Sequence, residues 1–479
     1  MKHLKLILTA ILLLAWIMQN PIAIRAQDPQ TDVPPKPAAK ALPPIGAEED
    51  QEQDQPIPAM QPDDHPLAGI QELTVGTPPE RHSYWIPGIS YTNYVSSNAL
   101  AEGGGNGWNS TSYVTGNFSL LQNWSTAQLS INYSGGEAFS SDSAVGNGQF
   151  QQFGALQTFS WRRTQVTFLD QFSYLPSAQF GFGAGTSLAL PGVGGSLAPS
   201  PLGLQSGLTP SQSIATAVGP RYSNSSGVQF NYAVTPRSSI TIGGVFSILR
   251  FTESGNVESN DVILSAGYNY QLSRNNSIGL SYRFSAYEYL GSPQAIGDHT
   301  VQAMYGKRIT GRLALRLSAG PEITTLRVPE GPGTQTQYVA ATGSASVSYA
   351  LSAGSVSLSY NHGVNNGSGV LLGATSDQVT GSGTRRLTRA WSGNFSFGYA
   401  RNTNIAGTSG AQGPAYNSVY LGVGLQRPIS RTTNVSLNYT ANIQIFNIAG
   451  CSGSYCGTNF TTHQITVGLN WLARPFVLH

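Results

Sequence analysis

From Val262 onward the chain alternates with a period of two. Val262, Leu264, Ala266, Tyr268, Tyr270 and Leu272 are separated mainly by Ser265, Gly267, Asn269 and Gln271. After a polar SRNN at 273–276, Ile278, Leu280, Tyr282 and Phe284 alternate with Gly279, Ser281, Arg283 and Ser285. Successive side chains of a strand point to opposite faces, so two such runs around a short polar turn predict a β-hairpin with one apolar and one hydrophilic face.

The same wording recurs along the chain. QLSRNNSIGLSY from Gln271 is echoed by RLTRAWSGNFSFGY from Arg386, PISRTTNVSLNY from Pro428 and AVTPRSSITIGGVF from Ala233. Further apolar stripes run through Leu313, Leu315 and Leu317, through Val356, Leu358 and Tyr360, and through Ile465, Val467, Leu469 and Trp471. A soluble sandwich has strands of about 5 to 6 residues with a charged outer face. Here the runs approach or exceed the ~9 to 11 residues that cross a bilayer when tilted, and the hydrophilic face is Ser, Gly, Asn, Thr and Gln. In hydrocarbon every backbone N–H and C=O must be paired, so a sheet can span only if it closes without edges. The expected fold is an all-β transmembrane antiparallel up-and-down barrel. Its apolar face, with Tyr232, Tyr268, Tyr305, Tyr349, Tyr399 and Tyr439, would meet lipid.

Tight turns are expected around Gln122, Arg162, Pro236, Arg274, Gly311, Ala353, Thr388 and Ser430. Eight turns join sixteen strands. The run from Phe460 to Trp471 adds one, and Gly88 to Leu100 restores even parity, giving 18 strands with 16 as the fallback. The turns mark the periplasmic end, because barrels of this kind have short periplasmic turns and longer extracellular loops.

Composition supports this reading, since only 10% of the chain is charged and 55 residues are glycine. The N-terminus adds two non-barrel segments. Lys2 and Lys5 before an apolar run to Met18, with Ala26 preceding Gln27, predict a signal peptide over residues 1–26. Residues 27–80 are rich in Pro, Ala, Asp and Glu, with 11 acidic residues against Lys36 and Lys40, and predict a disordered periplasmic linker. The barrel is expected over residues 81–479. An exported chain meets oxidising conditions, so Cys451 and Cys456 are expected to form a disulfide within the loop CSGSYC.

These features resemble bacterial outer-membrane β-barrels of the porin type, over residues 81–479. HQITVGLNWLARPF resembles the C-terminal signal that the barrel-assembly machinery reads, although Phe476 is followed by Val477, Leu478 and His479. In general porins the third long loop folds inward and narrows the pore. Here that position falls on residues 175–220, which carry no Asp, Glu, Lys or Arg between Leu175 and Pro220 and contain a short helix signal at Thr209, Pro210 and Gln212. The resemblance implies a cell outer-membrane location and contact with outer-membrane lipid, and leaves a homotrimer open.

By strand phase Arg283 and Arg316 point into the lumen, with Arg386 a further lumen candidate. A barrel this wide leaves an aqueous channel unless something fills it. The expected function is passive diffusion of small hydrophilic solutes through a weakly anion-preferring lumen. The alternatives are a conduit for secreted polysaccharide and a structural or adhesive barrel. The histidines are scattered without metal spacing, and neither a nucleophile signature nor a phosphate- or nucleic-acid-binding motif is present, so the expectation is no enzyme, no catalytic or metal residue, no cofactor and no nucleic acid. If the loop at 175–220 narrows the pore, deleting residues 185–205 should raise single-channel conductance, and unchanged conductance would remove that role.

Overall fold

The computed structural model describes residues 83–97, 107–141, 147–175, 220–252, 256–327, 335–405, 415–446 and 459–478. The expected signal peptide and linker, the Cys451–Cys456 pair and nearly all of the loop 175–220 lie outside the described residues.

Eighteen long strands carry the fold. The first nine are β1 (Ser83–Ser97), β2 (Trp108–Asn123), β3 (Ala127–Ser140), β4 (Gly148–Ser160), β5 (Thr164–Leu175), β6 (Arg221–Thr235), β7 (Ser238–Phe251), β8 (Ser259–Ser273) and β9 (Asn276–Tyr289). The second nine are β10 (Ala295–Arg308), β11 (Leu313–Arg327), β12 (Gln335–Leu351), β13 (Gly354–Asn365), β14 (Ala374–Arg386), β15 (Ser392–Asn404), β16 (Ala415–Pro428), β17 (Thr433–Phe446) and β18 (Phe460–Leu472). Each pairs antiparallel with its sequence neighbours, and β1 pairs with both β2 and β18, which closes the sheet. The strand number, the up-and-down order and all eight tight turns agree with the sequence reading.

The seam differs from it in one respect. The first strand runs over Ser83–Ser97 and not over Gly88–Leu100. Pro87 and Gly88 interrupt its pattern, and proline is tolerated in a strand where its missing N–H is not needed for pairing. The last strand is split in a matching way. After Leu472 the chain passes Pro475 and resumes as β19 (Phe476–Leu478), which pairs with Ser83–Trp85. Phe476 stacks on Trp85 with ring centroids 4.5 Å apart and an interplanar angle of 18°. The aromatic expected at the end of the last strand is therefore present, displaced by the proline.

Register puts the two faces where alternation predicts. Leu264, Leu280 and Val467 point outward and are 49%, 55% and 52% exposed in the absence of lipid. The six expected tyrosines share that face. The three histidines of the described residues also lie outward, toward the extracellular end. Tyr282 Oη meets His299 Nδ1 at 2.8 Å, Tyr439 Oη meets His463 Nδ1 at 2.9 Å, and His362 Nδ1 lies 2.7 Å from Asp377 Oδ1. The outward glycines of β14, Gly381 and Gly383, are paired with and covered by Phe397 and Phe395. Such cross-strand cover restores an apolar surface where the sequence shows none.

The chain is thus a closed, antiparallel barrel of the outer-membrane type. Replacing Leu280 by Arg on the lipid face should destabilise the barrel in a lipid-vesicle unfolding titration by roughly 2–4 kcal/mol near mid-bilayer. A Ser281→Asn change on the opposite face should leave the transition nearly unmoved.

Candidate functional site

The inner wall is built from hydroxyls that satisfy one another. Ser225 and Ser247 meet at 2.9 Å, Ser318 and Ser344 at 2.8 Å, Ser357 and Ser382 at 2.8 Å, and Ser359 and Thr380 at 2.6 Å. Each pair bridges adjacent strands on the lumen side, and such cross-strand pairs add to sheet stability. Small side chains that bond sideways leave the centre of the barrel unfilled by the wall itself.

Among the described residues, one short connection enters the barrel. Between β13 and β14, residues 366–373 form a loop containing a single 3₁₀ turn at Gly367–Gly369. Its entry begins with a break in the wall. The β11–β12 ladder continues to Arg327↔Gln335, but the β12–β13 ladder stops at Gly343↔His362. There Thr342 Oγ1 donates to the His362 carbonyl at 2.6 Å, and β13 leaves its neighbour.

The loop then reaches distant strands. Asn366 Nδ2 donates to Asp261 Oδ2 on β8 at 2.9 Å, and the Val257 N–H donates to the Gly369 carbonyl at 2.8 Å. Gln294 Nε2 donates to the Leu372 carbonyl at 2.8 Å. Asp261 is an inward residue five strands from β13, so the chain must cross in front of β9–β12 inside the barrel to reach it. Leu371 packs on Ala374 and Tyr416 of β16, with Val370 and Phe446 against them. Leu372 packs on Tyr287, Tyr289, Ile296 and Leu326. These apolar and aromatic inner-face side chains lie at the extracellular strand ends, where the loop covers them.

Glycine makes the path. Gly367, Gly369 and Gly373 have φ of 79°, 77° and 82°, values that L side chains rarely adopt. A Cβ on Gly369 would lie 2.5 Å from Phe251 Cζ, and one on Gly373 would lie 2.1 Å from Ile296 Cδ1. Backbone and wall touch directly at both points.

Below the loop sits a cluster of charge. Arg283 of β9 projects inward, level with Thr300 of β10 and Ser265 of β8. Thr324 Oγ1 donates to Asp298 Oδ1 at 2.9 Å, and Thr300 Oγ1 donates to Asp298 Oδ2 at 3.0 Å. The Val364 N–H donates to Glu322 Oε1 at 3.1 Å. Glu322 Oε2, Asp261 Oδ1 and Arg283 Nε are buried without a hydrogen-bond partner. Burying such groups is expensive unless another charge is near. Arg283 and Glu322 both lie beside Gly363, where a Cβ would be 3.4 Å from Glu322 Oε1 and 3.9 Å from Arg283 Nη2.

Of the expected lumen arginines, Arg283 lies in this cluster. Arg316 is inward on β11 near the periplasmic end and almost wholly buried, and Arg386 is exposed at the end of β14 in inward phase. The three are not brought together. Sequence reasoning missed the carboxylates Asp261, Asp298 and Glu322, although each stands in inward phase beside residues already assigned to the lumen. It also missed the loop 366–373, whose sequence signal was the apolar VLL between glycines. Among the described residues no group of three or more His, Cys, Asp or Glu could hold a metal ion.

No family model and no curated protein matches the sequence. Solved structures do align with the barrel. The outer membrane protein OpdK from Pseudomonas aeruginosa aligns at 11% identity with a TM-score of 0.41, over 81% of this chain and 99% of that one. OccAB1 of Acinetobacter baumannii aligns at 10% identity with a TM-score of 0.42, over 83% and 97%. OccK2 (OpdF) of P. aeruginosa, solved in complex with glucuronate, aligns at 10% identity with a TM-score of 0.41, over 84% and 99%.

Gly373→Val combines a disfavoured backbone with a clash, a strain of order 1–3 kcal/mol or more. It should unseat the loop while the eighteen-strand barrel still forms. The expected result is unchanged heat-modifiable migration on gels together with faster proteolysis within residues 366–373.

Proposed function

We propose that this outer-membrane barrel is a channel for the passive diffusion of small hydrophilic solutes, narrowed by the loop 366–373. The observation that carries this reading is the loop itself, seated inside a closed barrel whose wall is rich in hydroxyl side chains. A channel of this kind performs no chemistry. It needs water along the wall and a section narrow enough to discriminate by size and charge.

The placement of charge supports a weak anion preference. Asp298 is fully buried and bonded to Thr300 and Thr324, and Asp261 is bonded to Asn366. Their carboxylates are tied into the wall beneath the loop, whereas Arg386 is exposed toward the periplasmic mouth. In this reading Arg283, Arg316 and Arg386 bias passage and none is a reacting group. A polysaccharide conduit is less well supported, because an extended polymer would have to displace Leu371 and Leu372 from their packed positions.

Planar-bilayer recording of the refolded protein tests the reading. Deleting residues 367–372 should raise single-channel conductance, and a purified barrel that conducts neither before nor after the deletion would sink the channel hypothesis. In a salt gradient the reversal potential should indicate mild anion preference and move toward cations in Arg386→Gln, most clearly at low ionic strength where screening is weak. An unmoved potential would remove Arg386 from the selectivity.

A further inference from the structure

The two ends of the barrel differ in charge. Six of the eight tight turns carry arginine: Arg162 and Arg163, Arg237, Arg274, Arg312, Arg389 and Arg431. None of the eight carries Asp or Glu. Among the described residues the carboxylate nearest a tight turn is Asp170, the seventh residue of β5. The described ion pairs, Arg250 with Glu258 and His362 with Asp377, both lie toward the other end.

Apolar side chains share this rim, four of the five that follow in turns that carry arginine. Trp124, Trp161, Ile309, Leu387 and Ile429 lie in five of the turns and are 52%, 56%, 49%, 52% and 65% exposed. Three turns are built alike. Ile309-Thr310, Leu387-Thr388 and Ile429-Ser430 each donate their two backbone N–H groups to one carbonyl across the turn, that of Leu313, Trp391 or Thr433. The hydroxyl of Thr310, Thr388 or Ser430 accepts the N–H two residues on, at 3.2 Å in all three. The apolar residue and the hydroxyl therefore hold the same positions each time, and the arginine follows the hydroxyl directly at Arg389 and Arg431 and after Gly311 at Arg312. Next to one of them the Arg427 guanidinium stands 5.4 Å over the Trp391 ring.

We propose that this rim is a collar for anionic phospholipid. Its arginines hold phosphodiester headgroups of the leaflet facing the tight turns, and its exposed Trp, Ile and Leu side chains enter the boundary between headgroups and acyl chains. Cations recruit anionic lipid at a membrane surface, and aromatic and aliphatic anchors set the depth at which they do so. A soluble acidic partner would account for the arginines and leave the five exposed apolar side chains in water. A lipid surface accounts for both.

Full-length protein reconstituted in phosphatidylcholine vesicles, with a trace of spin-labelled phosphatidylglycerol or spin-labelled phosphatidylcholine, reads the preference directly. The motionally restricted fraction should favour phosphatidylglycerol by roughly threefold or more at low salt, falling toward parity as salt is raised. Changing all seven turn arginines to Gln should abolish the preference, and changing them to Lys should retain most of it. If the full set of Gln changes prevents folding, the triple variant Arg312→Gln, Arg389→Gln, Arg431→Gln should still lower it by about half. Equal restriction of both lipids by the wild-type protein, or a preference that persists without the arginines, would overturn the proposal. So would a preference that appears only after residues 27–78 are deleted, because the rim would then belong to the chain's own acidic segment.

Discussion

Backbone hydrogen bonding in hydrocarbon is the constraint from which the rest of this structure follows. A strand in lipid has no water to satisfy its edge, so the sheet must close, and because β1 begins and β18 ends on the same side it closes on an even number. The seam shows how strictly the condition is met. Strand β1 begins as early as Ser83, and the chain resumes pairing as β19 after Pro475, so that the N-terminal end of β1 has a partner along Ser83–Trp85. The proline sits in the gap between β18 and β19, where it removes no ladder bond.

Closure fixes the two surfaces, and their chemistry then decides what can lie inside. A wall of hydroxyls bonded in pairs offers nothing for an apolar loop to rest on. The loop at 366–373 rests instead on apolar inner residues gathered at the extracellular strand ends, Leu249 and Phe251 of β7, Tyr287 and Tyr289 of β9, Ile296, Leu326 and Tyr416. Burial of that surface holds the loop, and the bond from Asn366 to Asp261 sets its reach. Its entry point is where β13 parts from β12, beyond the pair Gly343↔His362.

The hairpin signals were readable to the extent that period and turn chemistry are local. Even β14, whose ATSDQVTGSGTRR shows almost no apolar alternation, was counted through the turn at Thr388. Its apolar outer face comes from Phe395 and Phe397 of the next strand, lying over Gly381 and Gly383. The charged residues of the lumen were half readable. Arg283 and Arg316 stood out by strand phase, while Asp298 and Glu322 shared that phase and were passed over because a lone carboxylate in a polar run has no pattern around it.

The sequence by itself determined the closed barrel, its strand number, its lipid face and the arginines of its turns, because alternation and tight turns are properties of neighbouring residues. The tertiary structure alone decided which connection enters the barrel and which charges meet beneath it. Those outcomes rest on contacts between residues far apart in the chain, 105 positions from Asp261 to Asn366 and 78 from Gln294 to Leu372. No local period encodes such a pairing. Only the curvature of the closed wall brings these partners within hydrogen-bonding distance.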